Sequence, residues 1–282
     1  MSNKIKRHKL SLRLYLSACL LALCGSAMAH EFWLEPVRYH VNKNDEIAVN
    51  IKVGKNFKGE PQIYNPSDFI KFQYTTTVDS ISKTYAVKSR LGDMPAFKTK
   101  PISSGLKLVS YISTRRVINY KTAEKFKHFI KKEGIDWVLA AHAKRKLPEK
   151  GFKEVFYRYA KTLLAVGKGE GTDKVLSFPF EWVMLDNPYT HKNKDSLKAQ
   201  LLWQGKVFPH AVVSLFIRQK DKLLQQYLKT DEKGIVKVPT GEQGVYLLNA
   251  VHMLEASDDT ERETGAVWES LWASSTFEIK GQ

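Results

Sequence analysis

The part of this sequence that follows residue 29 contains no cysteine. Both cysteines of the 282-residue chain, Cys19 and Cys24, lie within the first 29 residues. If that segment is removed, the remaining chain can form neither a disulfide nor a thiolate metal site. Its stability must then come from burial of hydrophobic side chains. A chain of about 250 residues is long enough for such a core and is consistent with two domains.

The sequence also lacks the common catalytic and nucleotide-binding motifs. It has no His-Glu-x-x-His or Cys-x-x-Cys pattern, no Gly-x-Ser-x-Gly nucleophile elbow, and no P-loop or dinucleotide fingerprint. The glycine-rich stretch at 167–171 does not have the spacing of a phosphate-binding loop. We therefore do not expect an enzyme. A copper oxidase or oxygenase built on the histidines discussed below is the catalytic alternative that stays open.

Residues 1–29 have the three parts of a secretory signal peptide. Basic residues precede an apolar run at 14–24, and small residues follow at 27 and 29. The run is shorter than the roughly 20 residues that a transmembrane helix requires. We predict cleavage after Ala29 and a periplasmic protein that begins at His30. Lipidation at Cys24 is an alternative, although the residue before it is larger than lipoprotein sites favour.

Acidic residues are few relative to basic ones. The chain has 45 Lys and Arg against 29 Asp and Glu, and the first 29 residues hold five of the basic residues and no acidic one. Subtracting those five leaves 40 basic against 29 acidic residues, a net charge of +11. This excess favours contact with anionic envelope surfaces. The basic residues are scattered and no nucleic-acid-binding motif is present, so we do not expect a nucleic-acid partner.

Three zones differ in their hydrophobic pattern. Residues 30–120 and 175–282 show short alternating segments rich in β-branched and aromatic residues, which predict strands. Residues 121–174 change to helical spacing, and we predict helices at 123–132, 136–145 and 152–166. The predicted fold is mostly β: a β-sandwich domain at 30–120, a small helical insert at 121–174 and a second β-sandwich domain at 175–282.

Four segments together resemble a known protein family. They are HEFWLEP at 30–36, VGKNFKG at 53–59, FEWV at 180–183 with NPY at 187–189, and VHM at 251–253 with 268–274 and 277–278. In this order they are similar to the periplasmic family labelled domain of unknown function 4198, which is often linked to nickel and cobalt uptake. The resemblance implies an exported β-rich protein with an immunoglobulin-like or transthyretin-like C-terminal module, and a role in transition-metal handling. It establishes no catalytic reaction. Many relatives carry a histidine where this chain has Lys55, so a ligand at that position would be lost here.

The histidines are the candidate metal ligands. Cleavage after Ala29 would give His30 a free α-amine, which could close a chelate ring on a metal together with ring Nδ1. A facing imidazole would complete a three-nitrogen set suited to nickel or copper ions, and His252, after an apolar strand, is the preferred partner. Its neighbour Met253 could add a soft sulfur ligand but is interpreted as core.

Two further residues complete the predicted site. Glu181 lies in an apolar stretch where a carboxylate is costly to bury unless it is paired or bound to a metal, so it is either a ligand, an acceptor that orients a histidine, or solvent-facing. His40 is a reserve ligand because it is close to His30 in sequence. The predicted metal ligands are therefore His30, His252, Glu181 and His40.

The predicted function is binding of nickel, cobalt or copper in the periplasm, for buffering or for delivery to an inner-membrane transporter. The alternative is a non-enzymatic cell-surface β-sandwich that binds a protein or a glycan.

Overall fold

The computed structural model describes residues 30–78, 81–191 and 195–280. The predicted signal peptide and its candidate processing positions lie outside the described residues. Within the described ranges, no helix combines the length and the apolar character that are needed to cross a bilayer.

Strands dominate the described residues, which confirms the prediction of a mostly β protein. In chain order they are β1 Glu31–Pro36, β2 His40–Val41, β3 Ile47–Lys55, β4 Lys58–Gln62, β5 Phe69–Val78, β6 Ile81–Ala86, β7 Phe97–Thr99, β8 Gly105–Ser113, β9 Arg116–Tyr120, β10 Phe152–Val166, β11 Phe180–Met184, β12 Ser196–Trp203, β13 Lys206–Val207, β14 Val212–Arg218, β15 Leu223–Lys229, β16 Ile235–Pro239, β17 Gly244–Glu255 and β18 Ala266–Ile279.

Three α-helices lie in the described residues: α1 Ala123–Glu133, α2 Trp137–Lys144 and α3 Asp258–Thr264. The first two are the predicted helices at 123–132 and 136–145. Phe126, Phe129 and Ile130 form the buried face of α1, and Gly134 ends it in the left-handed conformation that glycine adopts at little cost.

The strands form three sheets. A central ten-stranded sheet has the order β15-β14-β17-β18-β10-β8-β5-β6, and β2 and β9 also pair with β10. An N-terminal sheet joins β1, β3, β4 and β7, and a C-terminal sheet joins β11, β12, β13 and β16. The central sheet takes strands from both predicted sandwich domains, so sandwich packing is present while the division into two domains stays a prediction.

The prediction of a third helix at 152–166 is wrong, because this segment is β10. It pairs in parallel with β18 and antiparallel with β8 and β9. Both of its faces are covered: Tyr159 and Leu163 pack toward the C-terminal sheet, whereas Ala160 and Leu164 pack toward the N-terminal sheet. A strand that is buried on both faces loses the alternation of polar and apolar residues by which strands are recognised.

The two small sheets cover opposite faces of the central sheet. The larger core lies between the central and C-terminal sheets and includes Trp182, Leu201 and Tyr246. A second core lies between the central and N-terminal sheets. The helices α1 and α2 cover the same face as the N-terminal sheet and pack on Trp268 and Trp272.

Strand β1 packs closely against the central sheet and is buried along nearly its whole length. The Thr276 hydroxyl of β18 donates to the Leu34 carbonyl over 2.6 Å. Side chains on one side of β1 join the second core, and Trp33 on the other side packs with Phe57 and Phe216. This packing fixes where the residue before β1, His30, is placed.

Candidate functional site

His30 lies half-buried just before β1, and hydrogen bonds to its own carbonyl and to Glu31 hold it there. Its carbonyl oxygen accepts a hydrogen bond from Arg158 Nη2 on β10 over 3.3 Å. The next residue, Glu31, is buried and accepts from Lys132 Nζ at 2.5 Å and from the Asn56 backbone N–H at 2.8 Å. The imidazole of His30 is therefore attached to a main chain that these hydrogen bonds hold at the start of β1.

The register of β1 and β3 determines what faces His30. Glu31 pairs with Gly54 in the antiparallel register, so one further step sets Lys55 opposite His30. Lys55 is exposed and precedes a two-residue turn in which Asn56 and Phe57 both have positive φ. Because Asn56 donates to Glu31, this turn is held against the start of β1.

His40 occupies a different part of the molecule. Its strand pairs with Ala165 of β10, whereas the Arg158 contact with His30 is seven residues earlier on β10, a separation of about 23 Å along the strand. His40 Nε2 lies 3.6 Å from Glu278 Oε2. Burial and, to a lesser extent, the charge of Lys280 lower the pKa of His40 to about 4, so the ring is neutral at neutral pH.

Glu181 is buried, and its carboxylate is occupied by protein donors. It accepts from Lys161 Nζ at 2.9 Å and from the backbone N–H groups of Leu176 and Phe178. Lys161 also donates to Asp173 at 3.1 Å, and Asp173 accepts from the Met184 backbone N–H. This buried triad ties the loop before β11 to the central sheet.

His252 lies among aromatic rings on the C-terminal-sheet side. Its ring centroid is 4.5 Å from that of Phe208, 4.7 Å from Trp203 and 5.9 Å from Phe180. Burial lowers its pKa to about 4. Within the described residues, its Nε2 and the indole N–H of Trp203 are buried without a hydrogen-bond partner. Met253 packs on the other face of the strand, in the hydrophobic cluster that α1 and α2 cover.

The structure does not bring His30 and His252 together. His252 pairs with Leu271, which pairs with Tyr157, so its side chain is on the face that packs against the C-terminal sheet. Arg158, which contacts His30, is on the opposite face, where its guanidinium lies over the Phe32 ring. Among residues 30–78, 81–191 and 195–280, no group of three or more His, Cys, Asp or Glu side chains could hold a metal ion.

The residue that sequence reasoning missed at His30 is Arg158. The sequence offered one local indication of its importance, a charged residue within the aromatic run of β10. Because we predicted a helix for that segment, this indication was not recognised. Which residue it contacts depends on the packing of β1 against β10.

The family model described as "Domain of unknown function (DUF4198)" matches residues 27–254. This chain belongs to the DUF4198 family. The match confirms the resemblance seen in the sequence, and it covers the start of β1, the turn after Lys55 and His252. Among curated proteins, none matches the chain.

Two solved structures give weak similarities to this DUF4198 protein. A tetra-tandem repeat in the extending region of a large adhesion protein has 7% sequence identity and a TM-score of 0.22, and the match covers 89% of this chain and 50% of that one. Murine CEACAM1b has 8% identity and a TM-score of 0.20, with 89% and 99% coverage. This chain therefore spans half the length of the adhesion-protein structure, and TM-scores this low support no argument about function.

Proposed function

We propose that this protein is exported to the periplasm, where it binds a nickel, cobalt or copper ion at the start of β1 for uptake or buffering. The observation that carries the proposal is the β1–β3 register, which sets position 55 opposite His30. The resemblance in sequence singled out both positions, and they are distant in sequence.

The hydrogen bond that His30 forms does not involve the two atoms proposed as metal ligands, the α-amine and ring Nδ1. Arg158 binds the carbonyl oxygen, which the chelate ring from the α-amine to Nδ1 does not use. That amine exists only after cleavage, so the side chains alone need not form a complete metal site. A transition metal would then receive two nitrogens from residue 30, and other ligands would complete its coordination.

Lys55 makes this site weaker than one with a facing histidine. A lysine ammonium is protonated at neutral pH and offers no lone pair to a metal. The nearby Arg158 guanidinium adds a second positive charge. We therefore propose a weak, exchangeable site suited to transferring the ion to a transporter.

Calorimetric titration of two protein forms tests the proposal. One form begins at His30 with a free amine, and the other carries one additional residue before it. The expected result is that Ni(II) or Cu(II) binds only the first form and that His30→Ala abolishes the binding. A His252→Ala variant is the matched control and should bind like the parent. Equal binding by both forms would contradict a terminal site, and binding by neither would contradict the metal function.

A second candidate is a cell-surface role in which a protein or glycan binds this chain. The observation that favours it is β6, an edge strand of the central sheet that is exposed at every residue. Ile81 and Tyr85 are 62% and 41% exposed there. Such an edge can accept a strand from a partner. Loss of partner capture after Tyr85→Lys, with unchanged metal titration, would favour this function.

A further inference from the structure

A cleft of about 380 Å³ opens between the N-terminal and central sheets. Phe32, Tyr111 and Phe156 form aromatic parts of its wall, and its charged lining residues are Asp68, Arg116 and Arg158. The volume is within the range of sites that bind small molecules, and the lining combines these rings with polar and charged side chains.

Among the half-buried arginines, Arg158 differs in that no acidic side chain of the described residues pairs with it. Arg218 pairs with Glu35 at 2.7 Å, and Arg145 pairs with Glu255 at 3.5 Å. In the part of the chain that the structure describes, Arg158 forms no ion pair, and the side chain's one hydrogen bond is the 3.3 Å contact with the His30 carbonyl. A guanidinium has five N–H donors, so most of its capacity is unused.

Two aromatic rings hold this guanidinium in the cleft. Its central carbon lies 5.2 Å from the centroid of the Phe32 ring and 5.0 Å from that of Phe156. Cation–π contacts of this kind stabilise a charge by less than the cost of burying it unpaired. The aromatic rings therefore orient the guanidinium of Arg158, but they do not compensate its charge as an acidic partner would.

The charges of the lining leave one positive charge uncompensated. Arg116 donates to Asp68 over 2.5 Å, and those two charges cancel. Burial first, and the charge of Arg116 second, lower the pKa of Arg158 to about 10. It therefore remains a cation at neutral pH, and it is the group in this cleft that can pair with an anion.

We propose that this cleft binds a small organic carboxylate. The carboxylate pairs with the free edge of the Arg158 guanidinium, and the apolar body of the molecule packs on Phe32, Tyr111 and Phe156. A planar guanidinium matches a carboxylate in bidentate geometry. The single uncompensated charge favours a monoanion over a phosphate ester, which carries close to two charges at neutral pH. This site does not depend on a metal or on a free α-amine.

Benzoate is a suitable probe because it combines a carboxylate with a flat apolar ring. The measurement is calorimetry or ligand-observed NMR in chelator-treated buffer, with benzamide as the neutral control of the same shape and inorganic phosphate as the anion without an apolar body. The expected result is binding of benzoate with at least about tenfold preference over both. Equal binding of benzamide, or no binding of benzoate up to about 10 mM, would overturn the proposal.

Variants then locate the site. Arg158→Gln is expected to reduce benzoate affinity about tenfold or more, and Arg158→Lys should retain only part of it because an ammonium does not pair in bidentate geometry. Arg115→Gln, which removes an exposed arginine outside this cleft, is the matched control and should bind like the parent. Unchanged affinity in Arg158→Gln would overturn the proposal. If that variant does not fold, parental affinity in Arg158→Lys would overturn it.

The test is independent of the metal hypothesis. Benzoate binding should be the same in the form that begins at His30 and in the form with one additional residue. Failure of the metal titration with retained benzoate binding would reject the proposed function alone, and the reverse result would reject the cleft alone.

Discussion

Two cations on β10, the buried Lys161 and the half-buried Arg158, lie three residues apart and have opposite environments. Lys161 faces the C-terminal sheet, and its ammonium contacts the carboxylates of Asp173 and Glu181. Arg158 faces the N-terminal sheet and has no carboxylate partner in the described part of the chain. A buried charge whose partners are all present in the protein holds the structure together, whereas one without a partner can receive a ligand. We therefore expect a structural role for the C-terminal-sheet face, and the binding role that we propose lies on the N-terminal-sheet face.

Removal of Lys161 should have the largest effect, because it would leave two buried carboxylates without their cation. Lys161→Met is expected to lower the free energy of unfolding by about 3–5 kcal/mol, measured by urea denaturation. Lys174→Met removes an exposed lysine next to the same loop and should change it by less than about 0.5 kcal/mol. A loss below about 1 kcal/mol in Lys161→Met would remove the distinction between the two faces.

Addition of an imidazole opposite His30 should increase the metal affinity of the N-terminal-sheet face. In the form that begins at His30, Lys55→His would supply a third nitrogen, and we expect Ni(II) or Cu(II) affinity to rise about tenfold or more by calorimetry. Lys58→His, across the same turn, is the control and should have a smaller effect. Equal gains from both variants would contradict the predicted facing of positions 30 and 55.

The pH dependence of stability should reflect the burial of His252 on the C-terminal-sheet face. Its pKa is lowered by burial to about 4 in the folded protein, against about 6.5 when unfolded. The unfolded chain therefore binds more protons between these values, and the contribution to stability that is complete above pH 6.5 is lost as the pH falls toward 4.

Denaturation of the parent and of His252→Phe across that interval measures this effect. The parent should lose more stability than the variant on acidification, and the His252 ring signals in NMR should titrate near pH 4. Titration near 6.5 would show that the aromatic surroundings do not exclude the charged ring.

Loss of Arg158 should have the smallest effect on stability. Because the cation has no acidic partner among the described residues, Arg158→Gln removes an uncompensated charge together with its ring contacts and its hydrogen bond to the His30 carbonyl. We expect the free energy of unfolding to change by less than about 1 kcal/mol in either direction. A loss of several kcal/mol in urea denaturation would indicate a structural role like that of Lys161 and would contradict the comparison.

Much of the secondary structure could be predicted because the local pattern agrees with the final environment. Strands β3 and β5 alternate or carry β-branched and aromatic residues, and α1 has both helical spacing and a terminal glycine. The segment at 152–166 was assigned wrongly because both faces of β10 are buried, which removes the period of two on which strand prediction depends. The position of β10 at the centre of the sheet depends on which other strands pair with it.

The candidate site shows the same division. The apolar sequence around Glu181 indicated that its carboxylate would need a partner if it were buried, but it could not identify Lys161, which lies 20 residues earlier and on another sheet. The sequence could identify the histidines as candidate metal ligands by residue type alone. Their separation onto two faces of the central sheet followed from the strand register.

The sequence by itself determined the mostly β composition, the helices α1 and α2, the absence of cysteine after residue 24, and membership of the family, because each of these depends on local pattern or residue identity. The tertiary structure decided that one sheet unites strands from both predicted sandwich domains, that Glu31 at the start of β1 pairs with Gly54, and that Arg158 has no acidic partner among the described residues. Those facts depend on which distant strands pair and in what register. A shift of one residue would reverse the face on which each side chain lies.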